Sequence, residues 1–338
     1  MTRALRPIFA IALALGFAAL LLLLLGFAPG PALLALFAGS VGSGPAWTAT
    51  LLKTAPLLLT GLAVSIGFRC GAWNIGAEGQ LAIGALCATA VATRALPHLP
   101  APLLLPLVLL AGALGGVLLG GVAGALRARR GVSEVISTIL LNFIALELVS
   151  LAVHGPLQEL SGAYPKSDPL PAAALLPRIG RLHLGVPAAA AAAALVWVFL
   201  FRTALGFRLR AVGLSARAAR FAGISPEGHG WLALALGGGL AGIAGACEVA
   251  GVTGQLYEGI SPGTGFTAIA VALLARLNPL AVIPSALFFG ALEAGAGAMQ
   301  RSVGVPSVAT QIVQGAVIVL SAAFAGARVP GAARSRSR

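Results

Sequence analysis

Apolar runs recur along the whole chain at intervals close to the width of a bilayer, separated by short polar joins. About twenty mostly apolar residues suffice to cross a membrane as a helix. Uninterrupted runs rich in Ala and Leu argue for helices, because barrel strands would alternate polar and apolar positions. The pattern predicts ten helices, over residues 8–27, 54–68, 77–93, 103–126, 134–153, 185–201, 231–252, 264–275, 279–299 and 306–325. Residues 29–52 read as a Gly/Pro/Ser-rich loop near Trp47, and the proline-rich stretch 154–184 as an exposed irregular loop. Arg3 and Arg6 before the first run resemble the start of a signal peptide. The run is long for one and no small-x-small site follows, so a retained helix is expected.

Composition agrees with this reading. Of 338 residues, 59% are hydrophobic and 9% charged, and mean hydropathy is +0.99. A single polytopic all-α membrane domain over 1–338 is expected, with no room for a soluble one. The net charge of +13 could suggest nucleic acid, but in such a chain it sets topology. With the N-terminus in the cytoplasm, cytoplasmic segments collect sixteen of the 22 Lys and Arg. The outer side then keeps Lys53, Arg94, Lys166, Arg178, Arg181 and Arg301, so both termini are expected inside. Helices two to five and seven to ten then form two four-helix sets of opposite orientation, as inverted repeats do.

The join 69–80 carries a high polar density between two spans. Asn74 is expected to cap the following helix, with Glu78 in its first turn near the N-terminal dipole. Asn74, Glu78 and Gln80 are candidates to border a solute path, since ionisable groups and broken helix at membrane depth are usually functional. The competing expectation is a plain cytoplasmic turn. Gly112, Gly116, Gly120 and Gly124, every fourth residue, predict a ridge on which a second helix packs closely. Ser133 is expected to cap the fifth helix, with Glu134 in its first turn. Residues 276–278 are expected to form a tight turn.

The stretch 202–230 is polar and cytoplasmic in this topology. Ser215 can open a short helix and Gly223 close it, with Leu214, Phe221 and Ile224 as apolar anchors beside Arg217 and Arg220. A rigid helix outside the membrane suits a groove on a partner protein; the alternative is a basic loop lying on anionic lipid.

No phosphate-cradling motif, zinc motif or cysteine pairing pattern is present. Gly259-Ile-Ser261-Pro-Gly263 fits the nucleophile-elbow pattern only by chance, in a membrane loop. Glu78, Glu147, Glu248 and Glu293 have no cationic partner at their expected depth. An ion-driven secondary carrier using one of them is the alternative function, and a membrane enzyme a more distant one.

Four segments then resemble a known family: GLAVSIGFRCGAWNIGAEGQLAIGA (61–85), GVSEVISTILLNFIAL (131–146), LRAVGLSARAARFAGIS (209–225) and GFTAIAVALLARLNPLAVIPSALFFGALEAGAGAMQ (265–300). They are similar to permease subunits of bacterial ABC importers, of the simple-sugar and nucleoside branch that works with BMP-like lipoprotein receptors. The resemblance implies alternating access in the inner membrane, with a second related permease, a cytoplasmic ATPase that binds ATP and Mg, and an extracytoplasmic receptor. It implies that this chain itself binds no cofactor or metal. By position it places Gly213, Leu214, Ser215, Arg217, Arg220, Phe221, Gly223 and Ile224 in the ATPase-coupling region. One departure is visible: Ser215-Ala216 stands where the branch commonly has Asn-Pro.

Overall fold

The computed structural model describes residues 16–17, 19–306, 311–312 and 315–316. Part of the first expected helix, most of the last and the basic tail therefore lie outside the described residues.

Eleven named α-helices follow in order: α1 (Pro29–Val41), α2 (Gly44–Arg69), α3 (Ala77–Ala90), α4 (Ala101–Arg130), α5 (Glu134–Val153), α6 (Gly185–Arg202), α7 (Ala204–Leu214), α8 (Ala216–Phe221), α9 (Pro226–Glu248), α10 (Thr264–Leu274) and α11 (Pro279–Val303). Wider π-helical turns extend α3 over Val91–Ala95 and α9 over Val249–Thr253. Among the described residues, six helical stretches are long and apolar enough to cross a membrane: Gly44–Arg69, Ala101–Arg130, Glu134–Val153, Gly185–Arg202, Pro226–Thr253 and Pro279–Val303. The protein is an all-α polytopic membrane protein. In α2 and α9 most of the apolar window is buried, 78% and 72%, whereas α4, α5 and α6 bury about a third. A helix apolar all round belongs in the centre, and α2 and α9 form that centre, with α3 beside them.

Two expectations need correction. Residues 29–52 are helical: α1 fills 29–41, and α2 begins at Gly44. The prolines there stand in the first turns, where no N–H is needed, so they start helices rather than break them. Ser43 Oγ caps α2 by accepting from the Ala46 N–H at 3.2 Å. The stretch 154–184 is not a simple exposed loop. It holds a 3₁₀ turn, Ala172–Ala174, and a small hairpin, β1 (Arg178–Ile179) with β2 (Leu182–His183). Ser167, Leu170, Leu176 and His183 are buried, because the stretch lies back over the end of α9 and the loop after it.

The glycine ridge of α4 lies against α9. A Cβ at Gly116 would overlap the Gly238 carbonyl, one at Gly120 the Leu234 carbonyl, and one at Gly112 the Ala246 side chain at 2.6 Å. At Gly124 it would meet Trp231 at 2.9 Å. Backbone meets backbone here, a contact only small residues permit. Between α10 and α11, Arg276 and Leu277 both hold positive φ, 52° and 58°. Arg69 Nε donates to the Leu277 carbonyl at 2.9 Å, and Asn278 caps α11.

Candidate functional site

The chain from Cys70 to Gly76 is not helical, and its polar groups are satisfied from α5. Glu134, Thr138 and Asn142 stand four residues apart and so share one helix face. Glu134 Oε1 accepts from the Trp73 N–H at 3.3 Å, and Thr138 Oγ1 from the Ile75 N–H at 3.3 Å. Asn142 Oδ1 accepts from the Gly79 N–H at 2.8 Å, and its Nδ2 donates to the Ile75 carbonyl at 2.9 Å. Arg127 closes the row with an ion pair to Glu134 at 3.2 Å. Sequence reading missed this ladder, although the spacing 134, 138, 142 carries the signal.

Asn74 does not cap α3; Gly76 occupies that position. Asn74 and Gln80, both fully buried, form a reciprocal amide pair instead: Asn74 Nδ2 donates to Gln80 Oε1 at 3.0 Å, and Gln80 Nε2 to Asn74 Oδ1 at 3.1 Å. Asn74 Oδ1 also accepts from the Gly76 N–H at 2.9 Å. Nor does the Ser133 hydroxyl cap α5, although Ser133 stands at its N-cap.

Glu78 is 1% exposed and serves another helix. Its Oε1 accepts from the Gly263 N–H at 3.0 Å and its Oε2 from the Gly265 N–H at 2.6 Å. These are orphan donors at the start of α10, so two helix N-termini converge on one carboxylate.

Above this junction, toward the 154–184 stretch, lies a cavity of about 100 Å³. Lys53, Glu248, Glu293, Tyr257 and Ser261 line it. The expectation that the acids lack a cation at their depth is therefore corrected for Glu248 and Glu293: Lys53 lines the same cavity, and the three come from helices remote in sequence. Glu147 is separate, exposed on α5 among Phe143, Ile144, Leu148 and Leu151.

At the opposite end, Ser215 Oγ caps α8 by accepting from the Ala218 N–H at 3.2 Å, and Gly223 follows it with φ +76°. Leu214 and Phe221 are 75% and 83% exposed, while Arg220 pairs with Glu227. Ile224 is half-buried. Gly213 packs so closely on the Arg69 carbonyl that a Cβ would overlap it. This exposed segment is thus seated on the chain leading into 70–80. Among the described residues, no group of His, Cys, Asp and Glu could hold a metal ion.

Helix ends meeting at a buried polar junction, a polar cavity at one end and a capped exposed helix at the other are features that recur in membrane transport proteins. The family described as branched-chain amino acid transport system, permease component, matches residues 46–322, and the chain belongs to it. It is 36% identical over 326 residues to a glucose ABC transporter permease protein of Haloferax volcanii, covering 93% of this chain and 85% of that one. It is 36% identical over 322 residues to a guanosine ABC transporter permease protein of Bacillus subtilis, covering 94% and 92%. A nucleoside ABC transporter permease protein of Lactococcus lactis is 31% identical over 324 residues, covering 92% and 88%. The two bacteria each have a second permease of the same description that this chain also matches. The chain is a multi-pass ABC permease subunit of the cell membrane.

Proposed function

We propose that this chain is one half of the membrane unit of an ATP-driven importer for nucleosides or related sugars. It crosses the membrane ten times with both termini in the cytoplasm. The α7–α8 segment docks in a cytoplasmic ATPase, which alone binds ATP and Mg. A solute-binding lipoprotein delivers solute at the 154–184 end. The solute passes close to the Asn74–Gln80 junction, and α4 and α9 re-pack along their glycine contact as access alternates. A related permease covers the α5 face that carries Glu147. A carboxylate among exposed apolar side chains is costly against lipid, which supports a protein or water-filled neighbour there.

The observation that carries the reading is the α7–α8 segment: α8 is capped at both ends and exposes Phe221, while the end of α7 exposes Leu214 and meets the 70–80 junction through Gly213. Phe221→Asp puts a charge into the proposed apolar contact. The variant is expected to insert normally, to lose solute uptake, and to release the ATPase or uncouple it from the loaded receptor. Cysteines at Ala218 or Ala222 are expected to cross-link to the ATPase. Uptake by the purified chain alone, without ATP and indifferent to Phe221→Asp, would return the ion-driven carrier.

A further inference from the structure

The cavity beneath the 154–184 end brings three charged side chains, outside any ion pair, beside one enclosed hydroxyl that lacks a hydrogen-bond partner. Among the described residues, none of Lys53, Glu248 and Glu293 takes part in an ion pair. Ser261 is 7% exposed, and its Oγ is enclosed without a hydrogen-bond partner, although it lies near Glu78. A buried hydroxyl left open is rare in folded proteins and asks for an occupant, and beside it Glu248 and Glu293 are half-buried and Lys53 is exposed at the cavity wall. One water needs roughly 10–15 Å³ of such space, so about 100 Å³ admits several waters or a hydroxylated ring.

The charge pattern selects the class of occupant. A cation would meet the Lys53 ammonium, and an anion would meet two carboxylates. A neutral molecule with several hydroxyls suits all of them: carboxylates accept from adjacent O–H groups, the ammonium donates, and the Ser261 hydroxyl can do either. Tyr257 also lines an outer groove of about 510 Å³ with Tyr164, Lys166, Gln255 and Glu258. The chain's two tyrosines thus flank the approach, offering apolar faces to a ring.

We infer that this cavity is a subsite for the hydroxyl groups of a neutral polyhydroxylated solute, gripped by Glu248, Glu293, Lys53 and Ser261 after it passes Tyr257. The inference rests on the nucleoside or sugar reading above and names the permease groups that recognise the solute's sugar part.

The test uses the assembled importer in proteoliposomes, with tritiated guanosine and glucose as probes. Glu248→Gln and Glu293→Gln are each expected to lower uptake of the transported probe roughly tenfold or more, the worth of one charge-assisted hydrogen bond. Co-purification with the ATPase and second permease establishes that the variants fold. A second measurement uses Ser261→Cys with the three native cysteines replaced by Ala. Guanosine is expected to slow its labelling by a charged methanethiosulfonate, and 2′,3′-dideoxyguanosine is not. Unchanged uptake in both Gln variants, or equal protection by the two nucleosides, overturns the subsite while the importer reading stands. If the wild-type assembly imports neither probe, the nucleoside or sugar reading fails, and the subsite falls with it.

Discussion

Glu78 and Gly265 meet backbone to side chain and backbone to backbone. The Gly265 N–H donates to Glu78 Oε2 at 2.6 Å, and a Cβ on Gly265 would overlap the Glu78 backbone itself. The carboxylate binds the start of α10 to the start of α3, and only glycine leaves space for it. Glu78→Gln retains one acceptor oxygen but turns an amide N–H₂ toward a second donor. It is expected to cost about 1–3 kcal/mol through the unsatisfied group. Gly265→Ala is expected to cost at least a similar amount, roughly 1–3 kcal/mol, by overpacking. Thermal unfolding in detergent checks both, and a midpoint unchanged in both variants would show that the junction bears no strain or load.

The glycine contact of α4 permits a comparison within one helix. Gly116 faces the Gly238 carbonyl, whereas a Cβ at Gly121 would find nothing nearer than the Trp231 ring nitrogen at 3.8 Å. Gly121→Ala is expected to stabilise by roughly 0.5–1 kcal/mol through helix entropy. Gly116→Ala gains the same entropy and loses more to the clash, so it is expected to destabilise. Equal effects at the two positions would mean that α4 and α9 are not in backbone contact.

The amide pair of Asn74 and Gln80 predicts strong coupling. Each single change to Ala strands the other amide in a buried site, while the double change removes both polar groups together. A double-mutant cycle is expected to give a coupling of about 1–3 kcal/mol. Additive effects would show that the two amides act separately.

His183 predicts a pH effect at the opposite end. Its Nδ1 accepts from the Gly185 N–H at 3.1 Å, which assigns the ring proton to Nε2, and the ring lies on Gly251. Burial, and then the nearby Arg178 charge, lower its pKa below the ordinary histidine value. Because the fold favours the neutral ring, the unfolded hairpin binds the proton more readily. Local stability is therefore present above about pH 6.5 and lost as pH falls from there toward the lowered value. Hydrogen exchange at residues 178–185 is expected to speed up below that pH, and His183→Gln to remove the dependence. A pH dependence that survives in His183→Gln would assign the effect to another group.

Part of this site was legible beforehand, and the reason differs by residue. Ser215 and Gly223 act within one turn of their own helix, so local spacing was enough to foresee the capped segment. The four-residue spacing of Gly112 to Gly124 likewise announced a close helix contact, though not that α9 supplies it. Asn74 and Glu78 misled because local capping rules assume that the side chain bonds the backbone N–H groups of the nearest helix. Asn74 instead pairs with Gln80, and Glu78 reaches donors at Gly263 and Gly265, far along the chain.

By itself the sequence determined an all-α membrane protein, its family, and short-range features such as the Ser215 cap and the spacing of the α4 glycines. Apolar run length decides whether a segment can cross a bilayer, and caps are read over three or four residues. What only the tertiary structure decided was which polar groups meet. The ladder from α5 under residues 73–79, the two helix starts held by Glu78, and the cavity shared by Lys53, Glu248 and Glu293 join segments remote in sequence. In an apolar interior each buried polar group takes the partner that packing brings within about 3 Å. That choice depends on how α2, α3, α5, α9 and α11 stack; a local pattern such as the 134, 138, 142 spacing shows a polar face but not what it meets.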